Sequence, residues 1–162
     1  MIAKHLKYAA ASLLVVIVQT QVMRLLSLEG ITPDLLAIWV VYIALRRGQI
    51  AGTLWGFGIG LVFDLVTGNF IGLAALTKTI CGFSAGYFFN ENKTQMTLGS
   101  YRFILIVLIV SLIHNIIYFI IFTRGTDIGL VGAIFKFGVT TTLYTATLTL
   151  LPMLVFSRKP AV

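Results

Sequence analysis

Apolar and polar positions along this chain come in long blocks rather than in strict alternation. Six apolar blocks can be drawn, at residues 8–23, 34–45, 50–66, 70–89, 103–122 and 129–156. Polar joins separate them at 24–33, 46–49, 67–69, 90–102 and 123–128. A helix that crosses a bilayer needs about 20 predominantly apolar residues. The pattern therefore predicts an all-α integral membrane protein, a six-helix transmembrane bundle forming one transmembrane domain over residues 1–162. The second block is short: its 12 residues give about 18 Å of helix against a hydrocarbon core of about 30 Å. It reads as a short span in a locally thin bilayer or as a re-entrant piece. Its ends are well marked. Thr32 is placed to cap, Pro33 to sit in the first turn and Asp34 at the positive helix end. Arg46 and Arg47 suit the negative end, and Gly48 the left-handed cap. The last block, with 28 residues, must tilt, kink or begin as an interfacial turn. Pro152 lies near its inner end.

Composition narrows the class further. Of 162 residues 59% are apolar and 10% charged, and mean hydropathy is +1.01, whereas a soluble domain is about a quarter charged. A soluble domain, a disordered chain and a collagen-like chain are excluded, and six helices leave no room for a nucleotide-binding unit. The net charge of +7 would suggest nucleic acid in a soluble protein. Here the basic residues cluster at block ends, so they read as topology markers and no nucleic-acid partner is expected. With both termini in the cytoplasm, Lys4, Lys7, Arg46, Arg47, Lys93, Arg102, Arg158 and Lys159 lie inside, against Arg24 and Arg124 outside. Lys78 and Lys136 fall within helices. The stretch from Gln19 to Arg24 is a poor cleavage site, so the first block reads as a retained helix rather than a signal peptide.

The glycines form the clearest pattern. Gly52, Gly56 and Gly60 recur every four residues, and Asp64 and Gly68 continue the same ridge. Gly82 and Gly86 repeat the device, with Lys78 four residues earlier. Such a ridge lets another backbone come close, either inside the bundle or as a groove for a partner's helix. The intramembrane polar residues are site candidates by default. Asp64 and Lys78 sit on consecutive antiparallel helices within reach of an ion pair, unless Lys78 snorkels outward alone. Lys136, His114, Asn115, Gln19 and Gln21 collect with them in the outer half of the membrane. They read as a small-molecule pocket, or as a polar network that ties the bundle together or receives a partner helix.

Catalysis is not indicated. His114 has no carboxylate nearby in sequence, and no HExxH, GxSxG, P-loop or CxxC motif occurs. The sole cysteine, Cys81, excludes an internal disulfide and a cysteine-cluster metal site. No cofactor or metal is expected. The threonines Thr140, Thr141, Thr142, Thr145, Thr147 and Thr149 can bond their own helix or a neighbour. Arg46 and Arg47 can meet anionic lipid headgroups or serve only as topology markers.

The stretch from Pro33 to Gly86 resembles the bacterial rod shape-determining protein MreD family. The resemblance rests on Pro33-Asp34-Leu35-Leu36, Ala44-Leu45-Arg46-Arg47-Gly48, Gly52, Gly56-Phe57, Gly60-Leu61-x-x-Asp64-Leu65, Gly68, Gly72-Leu73, Gly82 and Gly86. Lys78 and Lys136 depart from the family pattern. The resemblance implies a non-enzymatic component of the rod complex in the bacterial cytoplasmic membrane, supporting lateral peptidoglycan synthesis and cell shape. The implied partners are MreC, a single-helix membrane protein, then MreB, RodA and a class B penicillin-binding protein, with membrane lipids around them. It also implies similarity to the six-helix substrate-binding subunits of vitamin transporters, and so the alternative of an outward-facing solute binder. Those subunits use a small-residue patch on the first helix. Here Ala9, Ala10 and Ala11 are followed four residues on by Leu13, Leu14 and Val15, so that patch is missing.

Overall fold

A computed structural model describes residues 2–25, 27, 31–68, 70–125 and 129–157 of the chain. The side chains of Lys4 and Arg24, and Arg158 and Lys159 altogether, lie outside the described residues. Every regular element among the described residues is helical: α1 (Ile2–Leu25), α2 (Leu35–Arg47), α3 (Gln49–Thr67), α4 (Leu73–Gly86), α5 (Thr94–Leu98), α6 (Tyr101–Phe122), α7 (Leu130–Ala133), α8 (Thr140–Leu148) and α9 (Leu150–Ser157). Four helical stretches are long and apolar enough to cross a membrane: Leu6–Met23, Gln49–Thr67, Tyr101–Phe122 and Leu130–Ser157. α2 and α4, with 13 and 14 residues, fall short of that length.

The shortest apolar block makes one of the two most buried helices, with α4. Leu36, Ala37, Ile38, Val40, Val41, Ile43, Ala44 and Leu45 of α2 are all buried, as expected of a helix that is apolar nearly all round. It packs against α1, α3, α4 and α6. Its start differs from the expected one. The cap is Asp34, whose side chain accepts from the Ala37 N–H at 2.9 Å, so Pro33 precedes the cap and Thr32 is not part of it. An aspartate competes well for that position because its charge also meets the helix dipole. At the far end Gly48, at φ 90°, closes α2 through its N–H to the Ala44 carbonyl and starts α3 directly.

α3 and α4 form the tightest seam. A Cβ built on Gly52 would lie 2.5 Å from the Ala44 Cβ, and one on Gly60 2.5 Å from the Ala74 carbonyl oxygen. On Gly56, Gly82 and Gly86 it would run into the backbone of Lys78, Gly52 and Gln49. The glycine ridge is therefore filled by this chain's own α4, with Ala44 of α2 also against Gly52. Gly68 does not belong to the ridge. It sits at φ 66° as the left-handed cap of α3, its N–H bonded to the Asp64 carbonyl, with open space where a side chain would be.

Two joins hold more structure than their polarity suggests. Residues 90–102 contain α5, which buries Thr97 and Leu98. The last block is broken into α7, a wide π turn at Ile134–Val139, α8 and α9. The break at Thr149 falls just ahead of Pro152, which then occupies the first turn of α9, where its missing N–H costs least.

Candidate functional site

The N-terminus of α2 is held from three sides. Gln19 of α1 donates from Nε2 to the Pro33 carbonyl at 3.0 Å, and its Oε1 accepts from the Leu35 N–H at 2.8 Å. The Asp34 N–H donates to Thr145 Oγ1 of α8 at 2.9 Å, and that hydroxyl in turn donates to the Thr141 carbonyl at 2.7 Å. With Oδ1 committed to its cap, Asp34 turns Oδ2 to Lys78 of α4, and the two form an ion pair. His114 of α6 completes the cluster, with Nε2 3.1 Å from Lys78 Nζ and 3.3 Å from Asp34 Oδ2. The Lys78 side chain is only 5% exposed and that of Asp34 14%. Charges so withdrawn from water require each other.

Beside them, Asn115 donates from Nδ2 to the Gly138 carbonyl at 3.3 Å and to Thr142 Oγ1 at 2.9 Å. Thr142 Oγ1 also donates to the Gly138 carbonyl, at 2.8 Å. The π turn delivers that carbonyl to α6. Such turns widen the helix and recur at functional sites. Together these groups border a cavity of about 410 Å³. Its polar side carries Gln19, Asp34, Lys78, His114, Asn115 and Thr141, and its apolar side carries Phe63, Phe119, Phe122 and Phe137. Tyr118 also lines it, four residues beyond His114 and stacked on Phe122 at 5.7 Å.

Of the expected polar residues, the structure gathers Gln19, Lys78, His114 and Asn115, and leaves three others out. The expected Asp64–Lys78 pair is not formed. Asp64 instead spans the turn to α4: its Oδ2 accepts from the Gly72 and Ala75 N–H groups at 2.9 and 3.1 Å, and its Oδ1 from Ala74 N–H at 3.1 Å. Those donors are the otherwise unpaired ends of α4, and they satisfy the carboxylate without a lysine. Lys136 is exposed, its ammonium 5.6 Å from the Phe137 ring centroid, and Gln21 is exposed on α1. Arg46 and Arg47 are exposed at the opposite end of α2.

Sequence reasoning placed Asp34 at a helix start and missed its role as the counter-ion of Lys78. It also missed Tyr118, although the spacing of four from His114 puts both on one helix face. The carboxylate that His114 lacks in sequence comes from Asp34, 80 positions earlier. Among the described residues no serine or cysteine lines the cavity, and Cys81 is buried elsewhere on α4. Among the described residues no group of three His, Cys, Asp or Glu side chains could hold a metal ion. The arrangement can lock five helices together and offer a polar wall.

The model of the family "rod shape-determining protein MreD" matches residues 6–158, nearly the whole chain. No curated protein and no solved structure matches significantly. The chain belongs to the rod shape-determining protein MreD family, and with it to the apparatus of rod shape determination.

Proposed function

We propose that this member of the family is a non-enzymatic scaffold of the rod complex, a single transmembrane unit of six crossings in the bacterial cytoplasmic membrane. Both termini face the cytoplasm. It binds MreC and through it supports lateral peptidoglycan synthesis, alongside MreB, RodA and a class B penicillin-binding protein. The match over residues 6–158 carries this reading. The buried Asp34–Lys78–His114 cluster supports it as a framework device, because it ties α2, α4 and α6 together where lipid would penalise an unpaired group. The glycine ridge is occupied by α4, so MreC's helix docks on another face.

The test is purification from the native bacterium in mild detergent. A stoichiometric one-helix partner identified as MreC is expected. A preparation that restores rod shape yet carries no MreC overturns the partner assignment. Reporter fusions after Lys93 should read cytoplasmic, and those near Glu29 and Asp127 external. An external reading after Lys93 sinks the six-crossing topology.

The cavity beside the cluster favours a second reading, a solute-binding membrane subunit of a small-molecule (vitamin) transporter. A tightly held small molecule in the same preparation, with no MreC, would favour it.

A further inference from the structure

We propose that the lateral groove between α1 and α9, floored by α2, is a slot for one anionic phospholipid. Two cavities lie along it. The first, about 320 Å³, lies at the arginine end and is bordered by Lys7, Tyr8, Trp39, Tyr42, Arg46 and Arg47. The second, about 430 Å³, is walled by Val15 and Met23 of α1, Trp39 and Tyr42 of α2, and Pro152 and Phe156 of α9. Trp39 and Tyr42 border both, so a molecule can lie across them with one end basic and the other apolar.

The basic end is organised for a phosphate. Arg46 Nη1 donates to the Tyr42 hydroxyl at 3.0 Å, and Arg47 Nε to the Tyr8 hydroxyl at 3.4 Å. Arg47 also stands 5.1 Å from the Tyr8 ring centroid. Each guanidinium is thus positioned by a tyrosine and keeps free N–H donors in the planar fork that suits phosphate. Lys7 adds a third cation, and among the described residues no acidic one borders either cavity. Glu91 shares a separate cavity with the two arginines and makes no ion pair with either among the described residues.

The apolar end is organised for a chain. Trp39 and Tyr42 stack at 5.2 Å, and Tyr42 and Phe156 at 5.3 Å, forming a continuous aromatic floor. From Leu35 to Arg46 the groove runs along α2 for about 16 Å, half of an about 30 Å hydrocarbon core and so the depth of one leaflet. Three cations at one end and an apolar aromatic lining over the rest match an anionic headgroup and its acyl chain. The headgroup end is at the arginines whichever way the chain is inserted, and orientation decides only the leaflet.

The full chain carrying Trp55→Phe leaves Trp39 as the sole tryptophan. In phosphatidylcholine nanodiscs doped with acyl-brominated phosphatidylglycerol, Trp39 emission should be quenched at a lower lipid fraction than with brominated phosphatidylcholine. The preference should be about fivefold for each arginine, or about 1 kcal/mol. Arg46→Gln with Arg47→Gln should abolish the preference, and Arg46→Lys with Arg47→Lys should retain most of it. If the glutamine pair fails to insert, Lys7→Gln should lower the preference about fivefold alone. Equal quenching by both headgroups, or a preference that survives the glutamine pair, overturns the anionic site. No quenching by either lipid shows the groove closed to chains or filled by a second copy, and overturns the slot itself.

Discussion

The α3–α4 seam and the Asp34 cluster meet at Lys78 of α4, and they hold helices together by opposite means. The seam removes side chains so that two backbones touch, and its specificity is steric. The cluster inserts charged side chains where lipid would reject them singly, and its specificity is electrostatic. Lys78 belongs to both, since its backbone packs against Gly56 while its side chain reaches Asp34. Backbone contact leaves no adaptable atom between the helices, so the seam fixes where α4 lies. The ion pair can tolerate small movements of a long lysine, and fixes which helices converge.

The largest effect should come from the point shared by both regions. Gly56→Leu sets a side chain against the Lys78 carbonyl, and parting α3 from α4 also draws Lys78 away from Asp34. Overpacking usually costs about 1–3 kcal/mol. Here backbone rather than a flexible side chain must yield, so the expected outcome is loss of the folded protein, read as abundance and thermal midpoint in detergent. Gly58→Leu, on the open face of the same helix, should leave both near wild type. A tolerated Gly56→Leu would show that the seam does not govern the position of α4.

Lys78→Met breaks the cluster and leaves the seam whole. It strands the Asp34 carboxylate, and losing one partner of a buried pair costs about 3–5 kcal/mol. Adding Asp34→Asn should recover much of the loss, because asparagine still caps α2 and no charge remains unpaired. Asp64→Asn combined with Lys78→Met should be additive, since these two side chains do not meet. Recovery in the second double variant but not in the first would reverse the assignment of the ion pair.

The same contrast explains what the sequence disclosed. Gly52, Gly56 and Gly60 lie on one helix at the helical period, and α4 follows after a short turn, so close packing is written locally. That the occupant is α4 rather than a partner is not written, because spacing fixes a ridge and not what lies on it. The cluster joins Gln19, Asp34, Lys78, His114 and Thr145 from five helices or their caps. Its partners are chosen by how the chain closes, and depth alone let Lys78 be matched with the wrong aspartate. Asp64 misled because the free N–H groups of the next helix are invisible in sequence. The π turn is equally silent, since nothing in residues 134–139 but Gly138 marks a change of helical pitch.

Asp64→Ala should fall below Lys78→Met. It removes an acceptor shared by three N–H groups, and charge-assisted bonds contribute about 1.5–3 kcal/mol each. No opposite charge is stranded, and the end of α4 lies beside a turn where water can partly replace the carboxylate. A net loss of about 2 kcal/mol is expected in denaturant-monitored stability, with Asp64→Asn milder. A loss equal to that of Lys78→Met would mean that Asp64 answers a charge after all.

The smallest effect should come from Asn115→Ala at the rim of the cluster. Asn115 bridges α6 to the π turn, so its removal looks as severe on paper as the loss of a charged partner. The acceptor it leaves is not orphaned, however, because Thr142 Oγ1 still donates to the Gly138 carbonyl at 2.8 Å. Interhelical hydrogen bonds in membranes average only about 0.6 kcal/mol, and that is the loss expected in thermal stability. The double variant Asn115→Ala with Thr142→Val should lose more than the sum of the single changes, since only then does Gly138 lack every side-chain donor. Additivity there would show that the π turn satisfies its carbonyl without help from α6, and would detach it from the electrostatic half of the comparison.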